Sequence, residues 1–160
     1  MIEVGQKIPS VTIKQATAEG GADVNPAELF AGKKVIMFSL PGAFTPTCSQ
    51  KHLPGYVAEL SNLKAKGVDI VACLSVNDAW VMKSWAEQHD ALGKIVMLAD
   101  GNGDFTKALG IEVDLAKAQM GLRARRGVIV FENGVAKSVD MEEPGKFEVS
   151  SAEACSRKLG

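Results

Sequence analysis

The chain predicts an α/β sandwich with a largely parallel central sheet, and three observations carry that reading. Four short apolar runs stand out: "KKVIMFSL" (33–40), "VDIVACLSV" (68–76), "KIVMLAD" (94–100) and "GVIVFENG" (127–134). Each is rich in Val and Ile and bounded by Gly, Asp, Asn or Pro, as buried strands are. Between them lie segments with helical spacing. The alternation of strand and helix is the pattern of a sheet covered by helices.

The elements follow in order. "GADVNPAEL" holds a short turn of helix starting near Pro26. The run 33–40 ends at Leu40, where Pro41-Gly42 turns the chain out of the sheet. Thr45-Pro46 opens a helix reaching Lys66, and Pro54-Gly55 bends it at Leu53 or splits it in two. Within it Tyr56, Leu60 and Leu63 recur on one face, and Gly67 is the stop. In the run 68–76, Val71, Cys73 and Ser75 share one face and Ala72, Leu74 and Val76 the other. "NDAWVMKSWAEQHD" places Val81, Met82, Trp85 and Ala86 in one stripe behind an Asn/Asp cap. Asn133-Gly134 suits a type I′ hairpin. The tail "SSAEACSRKL" opens with a Ser150-x-x-Glu153 capping box and forms a last helix.

At 160 residues, without repeats or a linker, residues 1–160 read as one domain, long enough to bury about 70% of its unfolded surface. A formal net charge of −1 gives no ground for nucleic-acid or acidic-membrane binding. The apolar runs are too short to span a bilayer, and the start "MIEVGQKIPS" lacks the pattern of a signal peptide. Three cysteines, Cys48, Cys73 and Cys155, are too few and too odd in number for a disulfide framework. They suit thiols kept reduced in the cytoplasm. His52 and His89 show no metal-ligand spacing with any cysteine, so no metal is expected.

The stretch "SLPGAFTPTCSQKHLPG" (39–55) sets Cys48 behind a turn and a helix start. Thr45 is a good N-cap and Pro46 suits the first helical position, which puts Cys48 third in the first turn. The free N–H groups and dipole there favour negative charge by roughly 0.3–1 kcal/mol. A nearby cation adds to that preference, and the thiolate is the nucleophilic form of cysteine. Thr45 Oγ can donate to the sulfur or hold a substrate oxygen, and Pro41, with no N–H, can wall the pocket. The residues alone leave a second reading open, because free cysteine is among the most often buried side chains.

"PGAFTPTCSQKHLPGY" resembles the active-site segment of the peroxiredoxins, specifically their type II or Prx5-like group. Pro41, Thr45 and Cys48 meet that family's Pro-x-x-x-Thr-x-x-Cys motif. "VACLSVNDAWVMKSW" and "KIVMLADGNGDFTKALG" resemble later segments of the same group, so the likeness covers most of the chain. The resemblance implies a thioredoxin-like fold, a central mixed β-sheet flanked by helices, and a thiol peroxidase without metal, haem or flavin. It further implies that the Cys48 thiolate attacks hydrogen peroxide or an organic hydroperoxide and becomes a sulfenic acid, a reversible first oxidation. The family's arginine comes from a late strand, and Arg126, directly before the run 127–134, matches it best. Such a guanidinium stays charged and donates two hydrogen bonds as charge moves onto the leaving oxygen. Arg123 and Arg125 are then surface charges, and Lys51 is solvated. Without the resemblance "RARR" reads as a solvated basic patch.

Cys73 is buried by default as a mid-strand residue, although some type II members use a cysteine at the matching place as the resolving partner. A disulfide needs Cα atoms about 4.4–6.8 Å apart, so the first turn around Cys48 would have to unwind to meet a stiff strand. Cys155 shares a helical face with Ala152 and Leu159 and reads as core. Relatives with a C-terminal resolving cysteine carry it where this chain has Ser150 or Ser151. The expected reductant is therefore external: glutathione with glutaredoxin, or thioredoxin. His52 reads as structural or partly exposed rather than as a base, and His89 as a helix-end residue. Phe44 is a candidate contact of a homodimer, again by resemblance. A thioredoxin-fold signalling protein or holdase is the competing reading. The lack of Cys-x-x-Cys argues against a thioredoxin-type oxidoreductase, and no poised histidine supports a cysteine protease.

Overall fold

Alternating side chains of the central strands bury two separate apolar clusters, one on each face of a single sheet. Val71 and Cys73 join Ile36, Phe38 and Met97 on one side, and Ala72 and Leu74 join Val35, Met37 and Leu98 on the other. A one-residue slip of register would exchange the two sets, so the pairing is firmly specified. The structure, a computed structural model, describes residues 1–159.

The chain opens with a hairpin of β1 (Ile13–Thr17) and β2 (Gly20–Val24), followed by the short helix α1 (Pro26–Leu29). Asn25 caps α1 by accepting from the Ala27 N–H at 3.0 Å. Three of the apolar runs become β3 (Lys34–Ser39), β4 (Ile70–Ser75) and β5 (Val96–Ala99), which pair in parallel. Helix α2 (Leu53–Ala65) connects β3 to β4, and α3 (Ala79–Gln88) connects β4 to β5. Asp78 caps α3 by accepting from Val81 N–H at 2.9 Å. Then come α4 (Asp104–Leu109), a small hairpin of β6 (Glu112–Asp114) and β7 (Leu122–Ala124), and the hairpin β8 (Gly127–Glu132) and β9 (Val135–Met141). Helix α5 (Ala152–Leu159) ends the described chain. The sheet runs β2-β1-β5-β4-β3-β8-β9, with β1 and β8 antiparallel to the parallel centre.

Helices α2, α3 and α5 cover one face through Tyr56, Leu63, Met82, Trp85 and Cys155. The other face is covered by Phe30, Phe105 and Leu109. The parallel centre covered by helices is what the runs and their spacing imply, and the mixed sheet is what the resemblance implies. The β8–β9 turn has Asn133 and Gly134 at φ 48° and 74°, as a type I′ turn requires.

Two details differ from expectation or sharpen it. Ser150 does not cap α5: its N–H and hydroxyl both bind Glu142, and Ser151 Oγ accepts from Ala154 N–H instead, at 3.1 Å. The helix beginning at Pro46 is interrupted by a π-helical turn, Cys48–His52, in which Leu53 N–H reaches back five residues to the Cys48 carbonyl. Pro54 has no N–H to give the preceding turn, so widening that turn sacrifices no hydrogen bond at that place.

Phe38 stacks on Tyr56 with centroids 4.1 Å apart and an interplanar angle of 2°. Both side chains are fully buried, with the His52 ring of the π-helical turn 4.9 and 5.7 Å away. Phe38→Ala should cost about 3–5 kcal/mol in urea denaturation; a loss below about 1 kcal/mol would mean that this stack does not anchor the fold.

Candidate active site

The loops leaving the ends of β3 and β4 are tied to each other before either reaches a helix. Leu40 N–H donates to Leu74 O at 3.2 Å. Asn77 Oδ1 accepts from Ser75 Oγ at 2.6 Å and from Ala43 N–H at 3.0 Å. At Gly42 a Cβ would stand 2.8 Å from Arg123 Nη1, so glycine lets that guanidinium lie against the turn. Phe44 then takes the left-handed conformation at φ 65°, and Ser49 N–H donates to Thr45 O at 2.9 Å as the helix begins. Cys48 falls in the first turn, where the sequence places it, and is 0% exposed.

Arg126 arrives from the opposite direction. Gly127 pairs with Ser39 across β3 and β8, which sets Arg126 beside the end of β3 from which the Cys48 segment departs. Ser39 Oγ pins this junction by donating to Arg125 O at 2.7 Å. Arg126 Nη2 donates to Cys48 Sγ at 3.0 Å, and Nη1 donates to His52 Nδ1 at 2.9 Å. Phe147 lies beneath the guanidinium, its centroid 5.9 Å from the central carbon.

His52 has a single tautomer compatible with these partners. A guanidinium only donates, so Nδ1 must accept. The proton therefore sits on Nε2, which donates to Ser150 O at 3.0 Å. Tyr56 Oη donates to the same carbonyl at 2.8 Å, and burial keeps that phenol protonated by pushing its pKa up. Burial first, and then the Arg126 charge, lower the His52 pKa to about 3. The imidazole is thus a neutral acceptor at physiological pH.

Pro41, Thr47, Lys51, Arg126 and Phe147 help to line a cleft of about 580 Å³ next to this cluster. Arg126 meets Cys48, Pro41 lines the cleft beside them, and Lys51 is exposed. Two expectations are corrected and a third is narrowed. Thr45 Oγ1 donates to Gly42 O at 2.7 Å rather than to the sulfur, because that carbonyl lies three residues back in the same turn. Arg123 and Arg125 are half-buried anchors, not surface charges: Arg123 Nη1 donates to Pro41 O at 3.1 Å and Arg125 Nε to Glu142 O at 3.0 Å. His52 is fully buried and structural, with no exposed part.

Cys73 is buried in β4, and burial followed by the charge of Cys48 pushes its thiol well above the usual range. Cys155 lies in the core, pushed by burial up to about 11. Phe44 is 47% exposed beside Trp85, with centroids 6.5 Å apart. Among the described residues no three His, Cys, Asp or Glu side chains gather as a metal site, and no helix is long and apolar enough to cross a membrane. Sequence reasoning misses Glu142 and Phe147, and it names Ser150 only as a helix cap and as the place of a resolving cysteine in relatives. Their main-chain and ring contacts with His52 and Arg126 have no local sequence signature.

A histidine whose folded pKa lies below its unfolded value stabilises fully above about pH 6.5, and that stability drains as pH falls toward 3. Between pH 7 and 4.5 the wild type should lose about 2–3 kcal/mol more than His52→Gln in urea titrations. Parallel pH profiles of the two proteins would show that His52 is not held neutral by the fold.

Residues 3–155 match the family described as Redoxin. The chain is 47% identical over 156 residues to peroxiredoxin-2E, chloroplastic, of Arabidopsis thaliana, covering 95% of this chain and 67% of that protein. Reduced Prx3 from Vibrio vulnificus, solved in complex with H2O2, superposes with a TM-score of 0.95 at 51% identity over 100% of both chains. The Plasmodium falciparum antioxidant protein, a 1-Cys peroxiredoxin, superposes with a TM-score of 0.91 at 31% identity, over 99% of this chain and 98% of that one. With a thioredoxin-like sheet, a helix-start cysteine and these relatives, the chain belongs to the Redoxin family and within it to the peroxiredoxins, thiol-dependent peroxidases.

Proposed function

We propose that Cys48 is the peroxidatic cysteine of this enzyme and that Arg126 stabilises its thiolate and the leaving oxygen. The observation that carries the assignment is the 3.0 Å contact from Arg126 Nη2 to Cys48 Sγ. The thiolate attacks one oxygen of hydrogen peroxide or an organic hydroperoxide, and the O–O bond breaks as the S–O bond forms. Cys48 becomes a sulfenic acid, and the departing oxygen leaves as water or an alcohol once it has taken up a proton. The guanidinium is already hydrogen-bonded on both arms, so little reorganisation accompanies the charge shift from sulfur to oxygen. Thr45 Oγ1 has its proton committed to Gly42 O, which leaves its lone pairs to accept from a peroxide O–H. Pro41 and Phe147 give the cleft apolar walls, which suit the carbon chain of an organic hydroperoxide.

The sulfenic acid is returned to thiol by an external thiol, from glutathione with glutaredoxin or from thioredoxin. Supporting this, Cys73 is held in mid-sheet, pairing with Phe38 and Met97, and its thiol is disfavoured as a thiolate. The exposed Phe44 ring, on the loop that carries the nucleophile, suits a homodimer contact. Three thiols without a disulfide framework suit the cytoplasm.

Cys48→Ser should abolish peroxide reduction supported by dithiothreitol. Arg126→Ala should slow it by about 10²–10³-fold, and Cys155→Ser should stay within a few-fold of wild type. Near-wild-type turnover in Arg126→Ala would contradict the role given to the guanidinium.

A further inference from the structure

Glu142, the residue after β9, is a buried carboxylate at 3% exposure that takes no part in the chemistry described above. Its Oε2 accepts four hydrogen bonds: from Glu148 N–H at 2.7 Å, Val149 N–H at 2.9 Å, Ser150 N–H at 2.8 Å and Ser150 Oγ at 2.7 Å. Burial pushes this carboxyl up, but the bonds from Ser150, Glu148 and Val149 outweigh it and hold the pKa below the usual value. All four partners donate, so an ionised, acceptor-only oxygen is what the position requires.

The segment gathered in this way bears directly on the reacting sulfur. The Ser150 carbonyl accepts from His52 Nε2 and from Tyr56 Oη, filling both of its lone pairs. His52 Nδ1 accepts from Arg126 Nη1, and Arg126 Nη2 reaches Cys48. The main chain closes the ring: Glu142 N–H donates to Arg126 O at 2.8 Å. Glu142 therefore holds the backbone of Arg126 directly and its guanidinium through Ser150 and His52.

We propose that Glu142 is a positioning residue for the peroxidase reaction: by fixing the Ser150 carbonyl it selects the His52 tautomer that aims Arg126 at Cys48. If that carbonyl swung away, the buried Nε2–H would lose its acceptor. The other tautomer would then present an N–H to the Arg126 N–H, donor against donor, and the guanidinium would have to turn off the sulfur. Glutamine at position 142 can put its carbonyl oxygen where Oε2 stands, with the NH2 group in the place of Oε1, but that oxygen is uncharged and holds four donors more weakly than a carboxylate does. The proposal rests on the assignment of Cys48 and Arg126 to the reaction.

The test compares wild type, Glu142→Gln and Ser150→Ala in two measurements. One is the single-turnover rate with hydrogen peroxide, followed by tryptophan fluorescence; Trp85 Nε1 donates to Ser49 Oγ, next to Cys48, at 2.9 Å. The other is the ring nitrogen spectrum of ¹⁵N-histidine protein, which holds only two imidazoles, with His52→Gln giving the assignment. Glu142→Gln should slow oxidation about tenfold or more, and its His52 signals should move from a pure Nε2–H pattern to a mixture of tautomers. Ser150→Ala removes one of the four donors and keeps the carbonyl, so it should keep the tautomer and lose no more than about threefold in rate. Should Glu142→Gln not fold, Glu142→Asp takes its place, with its carboxylate withdrawn by one methylene and the same paired effects expected. Wild-type rate, or an unchanged His52 tautomer, in the folded Glu142 variant would overturn the proposal. A wild type that does not react would instead count against Cys48 as the nucleophile, while the imidazole signals would still decide the role of Glu142.

Discussion

One guanidinium serves two acceptors of different kind: the Cys48 sulfur at 3.0 Å and the neutral His52 imidazole at 2.9 Å. Arginine cannot shed its proton, so Arg126 brings a permanent charge to a half-buried place, where an unpaired charge would be costly. A carboxylate in the place of His52 would pair with that charge and weaken what the sulfur feels. The neutral imidazole satisfies one arm without cancelling the charge, and the other arm keeps its full effect on Cys48. Phe38, Tyr56 and Phe147 pack around the imidazole, with centroids 4.9, 5.7 and 5.0 Å away. That apolar surround keeps local dielectric low, which strengthens the interaction of charge with sulfur.

The architecture explains how two segments 78 residues apart meet at this point. Strand β3 delivers the Cys48 turn at its end, and antiparallel β8 begins beside that same end. Gly127, at the start of β8, leaves room for the Met141 side chain of β9, with which a Cβ there would clash. Pro54 then sets the shape of the nucleophile's own helix, because the turn before it has relaxed to a π-helical one. Sequence, backbone geometry and electrostatics thus converge on one sulfur from three independent directions.

Much of this was legible in the chain, for reasons that are local. The four apolar runs are buried on both faces, so each reads as a continuous Val/Ile stretch. The Thr45-Pro46 start and the Asn133-Gly134 turn rest on backbone chemistry written in two adjacent residues. The β1–β2 hairpin was not legible, because edge strands such as "GGADV" are largely exposed and carry no apolar alternation. The β6–β7 hairpin and α4 are short and were equally silent. In the site, Cys48 and Arg126 were within reach of motif and resemblance. The sequence points to His52 without its role and to Ser150 as a helix cap. Its actual partners, Glu142, His52 and Tyr56, become neighbours only after β9 and α2 have packed.

The chemistry turns on which sulfur peroxide meets. Reduced protein mixed with one equivalent of hydrogen peroxide, quenched within seconds beside a sulfenic-acid trap, answers this by intact and peptide mass. A single trapped adduct on Cys48, with Cys73 and Cys155 still thiols, is the predicted result. An unmodified Cys48, or an adduct on either of the other two cysteines, would contradict it.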